Sequence, residues 1–139
     1  MNPATPVHDH PLNLRVYWED TDAGGVVFYA NYLKFFERAR TEWLRSKGVE
    51  QSSLREQAGV IFVVADVRLR YLAPARLDDW LTITARVVET GAASLVLEQQ
   101  AWRGATLLTE GTVRVGCVHA DTLRPARIPA AVRAAMSAA

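Results

Sequence analysis

One continuous segment constrains the fold more than any other part of the chain: residues 15–48, RVYWEDTDAGGVVFYANYLKFFERARTEWLRSKG. Its second half predicts the only long helix, because bulky apolar residues recur at the spacing of one helical face: Tyr32, Phe36, Ala39 and Trp43. Gly48 predicts the helix end, since glycine readily adopts the left-handed conformation that terminates many helices. Asn31 is a candidate cap at its start. The segment therefore predicts a strand, a turn and a long helix in direct succession.

The turn that precedes this helix combines acids with glycines. Asp20 and Asp22 stand just before the pair Gly24 and Gly25. A helix start leaves backbone N–H groups without partners, and these groups attract negative charge. Such a turn therefore places a carboxylate beside donors that can polarise a carbonyl group, with an acid or nucleophile at hand. Asp22 alone also fits a simpler prediction, an Asx turn closed onto the glycines.

The remainder of the chain predicts strands joined by short turns. After a polar connection at residues 49–59, alternating apolar and polar residues indicate half-buried strands. Together with the strand before the turn, the predicted set is 14–19, 63–71, 81–87, 95–101 and 107–118. Gln99 interrupts the apolar face of one strand, and Gly111 and Gly116 predict bulges or close backbone approach. The order predicts an α+β protein in which a mainly antiparallel five-stranded sheet wraps around one long helix.

The organisation of the chain predicts one domain and an oligomer. Residues 12–129 are expected to form the domain, with a flexible N-terminal tail at 1–11 and a C-terminal tail, which includes a candidate short helix, at 130–139. A single helix covers only one face of such a sheet and leaves its edge strands open. We therefore expect a homodimer formed by edge-to-edge pairing of two sheets.

The composition excludes several classes of protein. The chain has 139 residues, a net charge of +1 and 50% hydrophobic residues, which disfavours a disordered protein and a strongly basic nucleic-acid binder. The single cysteine, Cys117, excludes an intrachain disulfide framework and a cysteine-based zinc site. No segment has the apolar length of a membrane span, and the N-terminus lacks a signal-peptide pattern. We expect a cytoplasmic protein without a membrane span.

Three motifs resemble one known family in order and spacing. Residues 17–32, YWEDTDAGGVVFYANY, resemble the active-site segment of the 4-hydroxybenzoyl-CoA thioesterase family, which has the hotdog fold. Residues 37–42, ERARTE, and 71–79, YLAPARLDD, resemble its branch of acyl-CoA thioesterases associated with the Tol–Pal envelope system. The resemblance covers about residues 14–129. It implies a hotdog thioesterase that acts on acyl-CoA or acyl carrier protein thioesters.

The resemblance also implies roles for particular residues. Asp22 corresponds to the catalytic aspartate, and the backbone N–H of Tyr29 to the donor that polarises the thioester oxygen. The branch often has histidine where this chain has Tyr29, which puts the acyl pocket and auxiliary acid–base chemistry in question. We assign substrate binding to Gly24, Gly25, Phe28, Tyr32 and Arg76. No cofactor and no metal are implied, and the expected assembly is a homodimer or homotetramer.

The chemistry leaves two routes open, and the sequence leaves other functions open. A carboxylate can activate water as a general base, or it can attack the thioester and form a mixed anhydride. Arg103, Arg124 and Arg127 join Arg76 as candidates for binding the phosphates of coenzyme A. Competing predictions are a non-catalytic thioester-binding or envelope-complex partner protein, and a hotdog dehydratase. The dehydratase is disfavoured because no histidine occupies the turn or helix, and the absence of a G-x-S-x-G motif disfavours a serine hydrolase.

Overall fold

The computed structural model describes residues 10–137, so most of the predicted tail at 1–11 lies outside the described residues. In chain order the elements are strand β1 (Leu12–Arg15), helices α1 (Tyr32–Ser46) and α2 (Gln51–Ala58), strands β2 (Val60–Tyr71), β3 (Trp80–Ile83), β4 (Arg86–Thr90), β5 (Ser94–Arg103) and β6 (Thr106–His119), and helix α3 (Ala130–Ser137). Two short 3₁₀ turns, Trp18–Asp20 and Tyr29–Asn31, lie between β1 and α1.

The strands form one antiparallel sheet in the order β1-β3-β5-β6-β2, with β4 also paired to β5. Helix α1 buries its apolar face, including Phe35, Phe36 and Trp43, against this sheet. The α+β architecture of a sheet around one long helix is confirmed. The predicted number of strands is corrected from five to six.

The extra strand arises where the predicted strand 81–87 breaks into β3 and β4. At the break, the Thr84 hydroxyl accepts a hydrogen bond from the Gln100 N–H at 3.0 Å, and the Thr84 carbonyl accepts one from the Gln99 side chain at 3.2 Å. The Gln99 side chain and the Thr84 hydroxyl thus bond to backbone groups that would otherwise be available for pairing between strands. A hydrophobic alternation pattern does not report such local competition for backbone partners.

Both ends of α1 lie close to their predicted positions. The helix ends at Ser46, and Gly48 follows with a left-handed φ of 81°. Gly59 likewise ends α2 with a φ of 66°. Helix α2 replaces the polar connection expected at residues 49–59; its apolar pattern is too sparse to indicate a helix, because Leu54 is its only buried residue.

Two other boundaries differ from the sequence predictions. The first strand ends at Arg15 rather than residue 19, because Trp18–Asp20 form a 3₁₀ turn held by the Asp20 side chain. At the C-terminus, the candidate short helix of the predicted tail is present as α3, but its Val132 and Met136 are buried in the core. Packing therefore extends beyond residue 129.

The two glycines of β6 differ in their surroundings. A Cβ at Gly111 would fall closer than van der Waals contact to the Arg68 carbonyl oxygen, so the predicted close approach is confirmed there. At Gly116 the nearest atom would lie at 3.9 Å, an ordinary contact distance. Neither glycine coincides with a register shift between β2 and β6, which falls instead between Val64 and Asp66. Within residues 10–137, no helix is long and apolar enough to cross a membrane.

Candidate active site

The acid–glycine turn is a tight hairpin in front of α1. Thr21 pairs with Val27 in an isolated bridge, and the Asp22 N–H donates to the Val26 carbonyl at 2.9 Å. The Gly25 N–H closes the turn by donating to the Asp22 carbonyl at 3.1 Å. Gly25 has a φ of 78°, which side chains other than glycine rarely tolerate. The backbone of the turn is therefore fixed by its own hydrogen bonds and by one obligatory glycine.

The Asp22 carboxylate is exposed at the tip of this turn. Its Oδ1 accepts a hydrogen bond from the Gly24 N–H at 2.8 Å, so the Asx turn considered from the sequence is present. A Cβ at Gly24 would lie 3.1 Å from the same oxygen, a tight contact that would press on the Asp22 carboxylate. No hydrogen bond to Oδ2 is seen from residues 10–137. The Asx turn thus orients the carboxylate and leaves one oxygen open for chemistry.

Asp20 has a different role, since it is buried with 7% of its surface exposed. Its Oδ2 accepts the Tyr17 N–H at 2.8 Å, its Oδ1 accepts the Asn31 side-chain amide at 2.9 Å, and its carbonyl accepts the Phe28 N–H at 2.9 Å. Asn31 therefore does not cap α1 with its side chain, as the sequence suggested, but donates to Asp20. The Asp20 carboxylate ties the end of the first strand to the helix start.

The backbone N–H groups of Tyr29 and Ala30 open the 3₁₀ turn that leads into α1. The Asn31 N–H donates to the Phe28 carbonyl at 2.8 Å, but no bond from the Tyr29 or Ala30 N–H to another described residue is seen. At this position a helix has no preceding carbonyl in reach. The helix dipole adds partial positive charge to these donors. They can therefore stabilise a developing oxyanion.

A loop after β2 supports the glycine turn from outside. The Val27 N–H donates to the Ala75 carbonyl at 2.8 Å, the Leu77 N–H donates to the Gly25 carbonyl at 3.4 Å, and Val26 pairs with Arg76 in an isolated bridge. These bonds place Arg76, which is exposed, directly beside the turn that carries the predicted catalytic aspartate. The structure therefore brings this candidate for phosphate binding to the site.

Asp79 holds the shape of that loop. Its Oδ2 accepts the Arg76 N–H at 2.9 Å and the Arg103 guanidinium at 2.8 Å, and Arg103 also donates to the Pro74 carbonyl at 3.1 Å. Partial burial of Asp79 favours its protonated form, but these two hydrogen bonds and the charge of Arg103 outweigh it, so the pKa of Asp79 is lowered. Arg103, a candidate for phosphate binding, therefore forms a structural ion pair with Asp79.

The other two candidate arginines lie at the far end of β6. Tyr71, beside the glycine-turn loop, pairs with Thr109 near the start of β6, whereas Val60 pairs with His119 at its end. The backbone carbonyl of Arg124 accepts a hydrogen bond from the His119 N–H at 2.8 Å, and Arg127 follows in the same segment. Within one chain, Arg124 and Arg127 are thus not brought to the Asp22 turn.

Four aromatic rings cluster around the helix start. The Phe28 and Tyr29 ring centroids are 4.8 Å apart, Tyr29 meets Tyr71 edge-on at 6.3 Å, and Tyr71 lies 5.7 Å from Tyr32. Tyr32 is buried, and its hydroxyl accepts the Ala75 N–H at 3.3 Å, so it packs in the core and supports the loop. A cavity of about 300 Å³ adjoins the cluster, lined by Val27, Tyr29, Tyr32, Tyr71, Leu72, Ala73 and Pro74.

Sequence reasoning missed a second polar feature, under the middle of α1. Arg40 is half-buried beside a cavity of about 300 Å³ and donates to the Gln99 side chain at 2.9 Å. Burial lowers the pKa of Arg40, although the nearby Glu37 charge opposes this. Gln99 is fully buried and donates to the Phe36 carbonyl at 2.9 Å. The glutamine on an apolar strand face was the available sequence signal.

Fold and site together define a class of protein in which a sheet packs around one long helix, and the start of that helix presents free N–H donors beside a carboxylate with one open oxygen. Residues 24–110 match the family model of the Thioesterase superfamily. The chain is 44% identical to the acyl-CoA thioesterase YbgC of Haemophilus influenzae over 88% of this chain and 90% of that protein. It is 32% identical to the acyl-CoA thioesterase YbgC of Helicobacter pylori over 91% of this chain and 99% of that protein.

A solved structure agrees with these relatives. The probable thioesterase from Bartonella henselae superposes with a TM-score of 0.81 at 34% identity, covering 86% of this chain and 98% of that one. The chain therefore belongs to the Thioesterase superfamily. The predicted hotdog fold is confirmed.

Proposed function

We propose that the protein hydrolyses acyl-CoA thioesters to a free acid and coenzyme A. The observation that carries this proposal is the Asp22 carboxylate, oriented by Gly24 through one oxygen and open at the other, in a turn bonded to a helix start with unpartnered N–H groups. Membership of the Thioesterase superfamily and 44% identity to a YbgC acyl-CoA thioesterase support the same reaction.

The proposed reaction needs two contributions from the protein. The Tyr29 N–H donates a hydrogen bond to the thioester oxygen and stabilises the negative charge that develops there. Asp22 either removes a proton from the attacking water or attacks the carbonyl carbon and forms a mixed anhydride that water then cleaves. In both routes the thiolate leaves readily, so the site needs no strong acid.

The neighbouring residues have distinct proposed roles in substrate binding. Gly24 and Gly25 keep the approach to the helix start clear of side chains, and Phe28 offers an exposed ring beside Tyr29. Tyr32 forms part of the cavity wall next to the helix start. Arg76 pairs with Val26 beside the turn and is our candidate for a phosphate of coenzyme A. Thioesters of acyl carrier protein present the same reacting group and are alternative substrates.

We further propose a homodimer that forms through strand β2, with pairing into a tetramer as a second step. At twelve residues β2 is the longer of the two outer strands of the main sheet, whereas β1 has four. Val63, Val64, Val67 and Tyr71 on β2 are exposed. A long apolar edge strand is unfavourable in solution unless another chain pairs with it. Multi-angle light scattering at micromolar concentration should therefore give at least twice the 15.4 kDa chain mass; a stable monomer would contradict the proposal.

The finer family assignment rests on the motifs. The segments 17–32, 37–42 and 71–79 resemble the Tol–Pal-associated branch of the 4-hydroxybenzoyl-CoA thioesterase family, so we propose that the protein belongs to that branch. We also propose a cytoplasmic location, as expected from the sequence pattern. Cell fractionation tests the location. Co-purification from the native host with and without crosslinking tests the envelope association, and recovery of no Tol–Pal component would remove that assignment.

A thiol-release assay over a panel of acyl-CoA and acyl carrier protein thioesters tests the function. We expect turnover by the wild type and a loss of at least about a hundredfold in kcat for Asp22→Asn, because positioned acid–base groups contribute at least that much. Asp121→Asn is a matched control, since the exposed Asp121 carboxylate also accepts a neighbouring backbone N–H, at 2.8 Å.

The outcomes separate the competing functions. Near-normal turnover in a folded Asp22→Asn variant would remove Asp22 from the mechanism. A wild type that binds coenzyme A thioesters by calorimetry but releases no thiol would favour the non-catalytic binding protein. Reversible loss of water from a hydroxyacyl-CoA, without thiol release, would favour the dehydratase.

A further inference from the structure

The hydroxyl of Tyr71 is bonded to the backbone of the proposed oxyanion site. It donates to the Tyr29 carbonyl oxygen at 2.9 Å, across 42 residues of sequence. The Tyr71 ring also packs edge-on against the Tyr29 ring at 6.3 Å and lies 5.7 Å from the Tyr32 ring. The local sequence around Tyr71 does not indicate this hydrogen bond, because the bond joins the end of β2 to the turn that leads into α1.

The Tyr71 side chain starts from a rigid base. Tyr71 pairs with Thr109 in the ladder between β2 and β6. The next two N–H groups, of Leu72 and Ala73, both donate to the Leu108 carbonyl, at 2.8 Å and 3.2 Å. The backbone on both sides of Tyr71 is therefore bonded to β6, so its hydroxyl can restrain the helix start rather than follow it.

Two hydrogen bonds then fix the peptides that carry the free donors. The Phe28 carbonyl belongs to the same peptide as the Tyr29 N–H and is held by the Asn31 N–H at 2.8 Å. The Tyr29 carbonyl belongs to the same peptide as the Ala30 N–H and is held by Tyr71. A carbonyl that accepts a hydrogen bond also polarises its own peptide, which makes the attached N–H a stronger donor.

The Tyr71 hydroxyl remains a donor at neutral pH. Burial, together with the neighbouring Tyr32 and Tyr29, raises the pKa of Tyr71 above its ordinary value. The phenol therefore stays protonated wherever the enzyme would work, and its single proton is directed to the Tyr29 carbonyl.

We propose that Tyr71 is a positioning residue for thioester hydrolysis: its hydroxyl orients and polarises the Tyr29–Ala30 peptide, so that the Ala30 N–H assists the adjoining Tyr29 N–H at the oxyanion site, and it does not touch the substrate's reacting atoms. This inference rests on the proposed thioesterase function. It assigns to the end of β2 a contribution to catalysis that is separate from the proposed pairing of β2 with a second chain.

The experiment compares Tyr71→Phe with Tyr17→Phe, a matched change at an exposed tyrosine outside the aromatic cluster. Tyr71→Phe keeps the ring packing and removes only the hydroxyl. We expect kcat to fall about tenfold with KM changed less than about twofold, since the lost interaction acts on the transition state. Tyr17→Phe should leave both constants unchanged. In amide NMR spectra, Tyr71→Phe should shift the Tyr29 and Ala30 resonances, whereas Tyr17→Phe should not.

These readouts separate failure of the inference from failure of the proposed function. Unchanged kcat together with unchanged Tyr29 and Ala30 amide resonances would overturn the positioning role. A rise in KM with kcat retained would also overturn it, because it would make Tyr71 a substrate-binding residue. If the wild type releases no thiol, the proposed function fails, while the amide resonances still decide whether the Tyr71 hydroxyl controls the peptide.

Discussion

Asp20→Asn gives the sharpest test of how the two acids of the turn divide their work. The carboxylate of Asp20 accepts two donors, the Tyr17 N–H at 2.8 Å and the Asn31 side-chain amide at 2.9 Å. Asparagine has one accepting oxygen and one NH₂ group at the same positions. In the wild-type geometry, the variant's single oxygen can therefore accept from only one of these donors, and its NH₂ group faces the other.

The expected loss of stability follows from these two bonds. A buried donor left without a partner costs about 1–3 kcal/mol, and the remaining bond loses the strengthening that a charged acceptor gives it. We expect the free energy of unfolding to fall by about 3 kcal/mol in total. For a chain of 139 residues, an unfolding entropy of about 2.1 cal/mol/K per residue converts this to a drop of about 10 °C in Tm.

The assay pairs thermal unfolding with thiol release below the transition. Asp20→Asn should lower Tm but retain a substantial part of wild-type kcat when folded, and Asp22→Asn should do the reverse, because the Asp22 carboxylate is exposed. Protein concentration must match between samples, since oligomers gain stability with concentration. An Asp20→Asn variant with wild-type Tm and no activity would show that Asp20, not Asp22, is the catalytic acid.

Three further predictions concern the turn and its supporting loop. Gly25→Val should lose at least about tenfold in kcat while remaining folded, because its φ of 78° is strained for valine although the space for a Cβ is open; full activity in circular-dichroism-verified protein would refute this. Tyr29→Phe should keep most activity, since the donor is the backbone N–H, and a loss as large as that of Asp22→Asn would make the phenol a participant. Asp79 has a lowered pKa, so its contribution to stability is complete above the ordinary aspartate pKa and is lost as pH falls through the folded-state value. The Tm difference between wild type and Asp79→Asn should therefore shrink when Tm is measured from pH 6 down to about pH 3, and a difference that grows with acidity would contradict the sign.

The sequence predicted those features that depend on local periodicity or on one residue's backbone preference. The apolar spacing of α1 and the left-handed Gly48 after it lie as expected. Helix α2 was missed because one buried residue, Leu54, creates no periodic pattern. The break between β3 and β4 was missed because it depends on Thr84, whose hydroxyl accepts from the Gln100 N–H and whose carbonyl accepts from the Gln99 side chain, both on β5 and distant in sequence. Local patterns report burial, whereas competition for backbone hydrogen bonds is settled only when strands meet.

The same distinction explains why the site was predicted only in part. Asp22 and the helix start lie in one short segment, so their proximity follows from the chain itself. Tyr71 reaches the Tyr29 carbonyl only because the pairing of β2 with β6 carries its ring to the helix start. Arg40 is half-buried, and its guanidinium donates a hydrogen bond to the side-chain oxygen of Gln99 on the facing strand. A substitution at Tyr71 or Gln99 therefore acts on α1 through tertiary hydrogen bonds, and its effect on catalysis cannot be inferred from the residues that adjoin Asp22 in sequence.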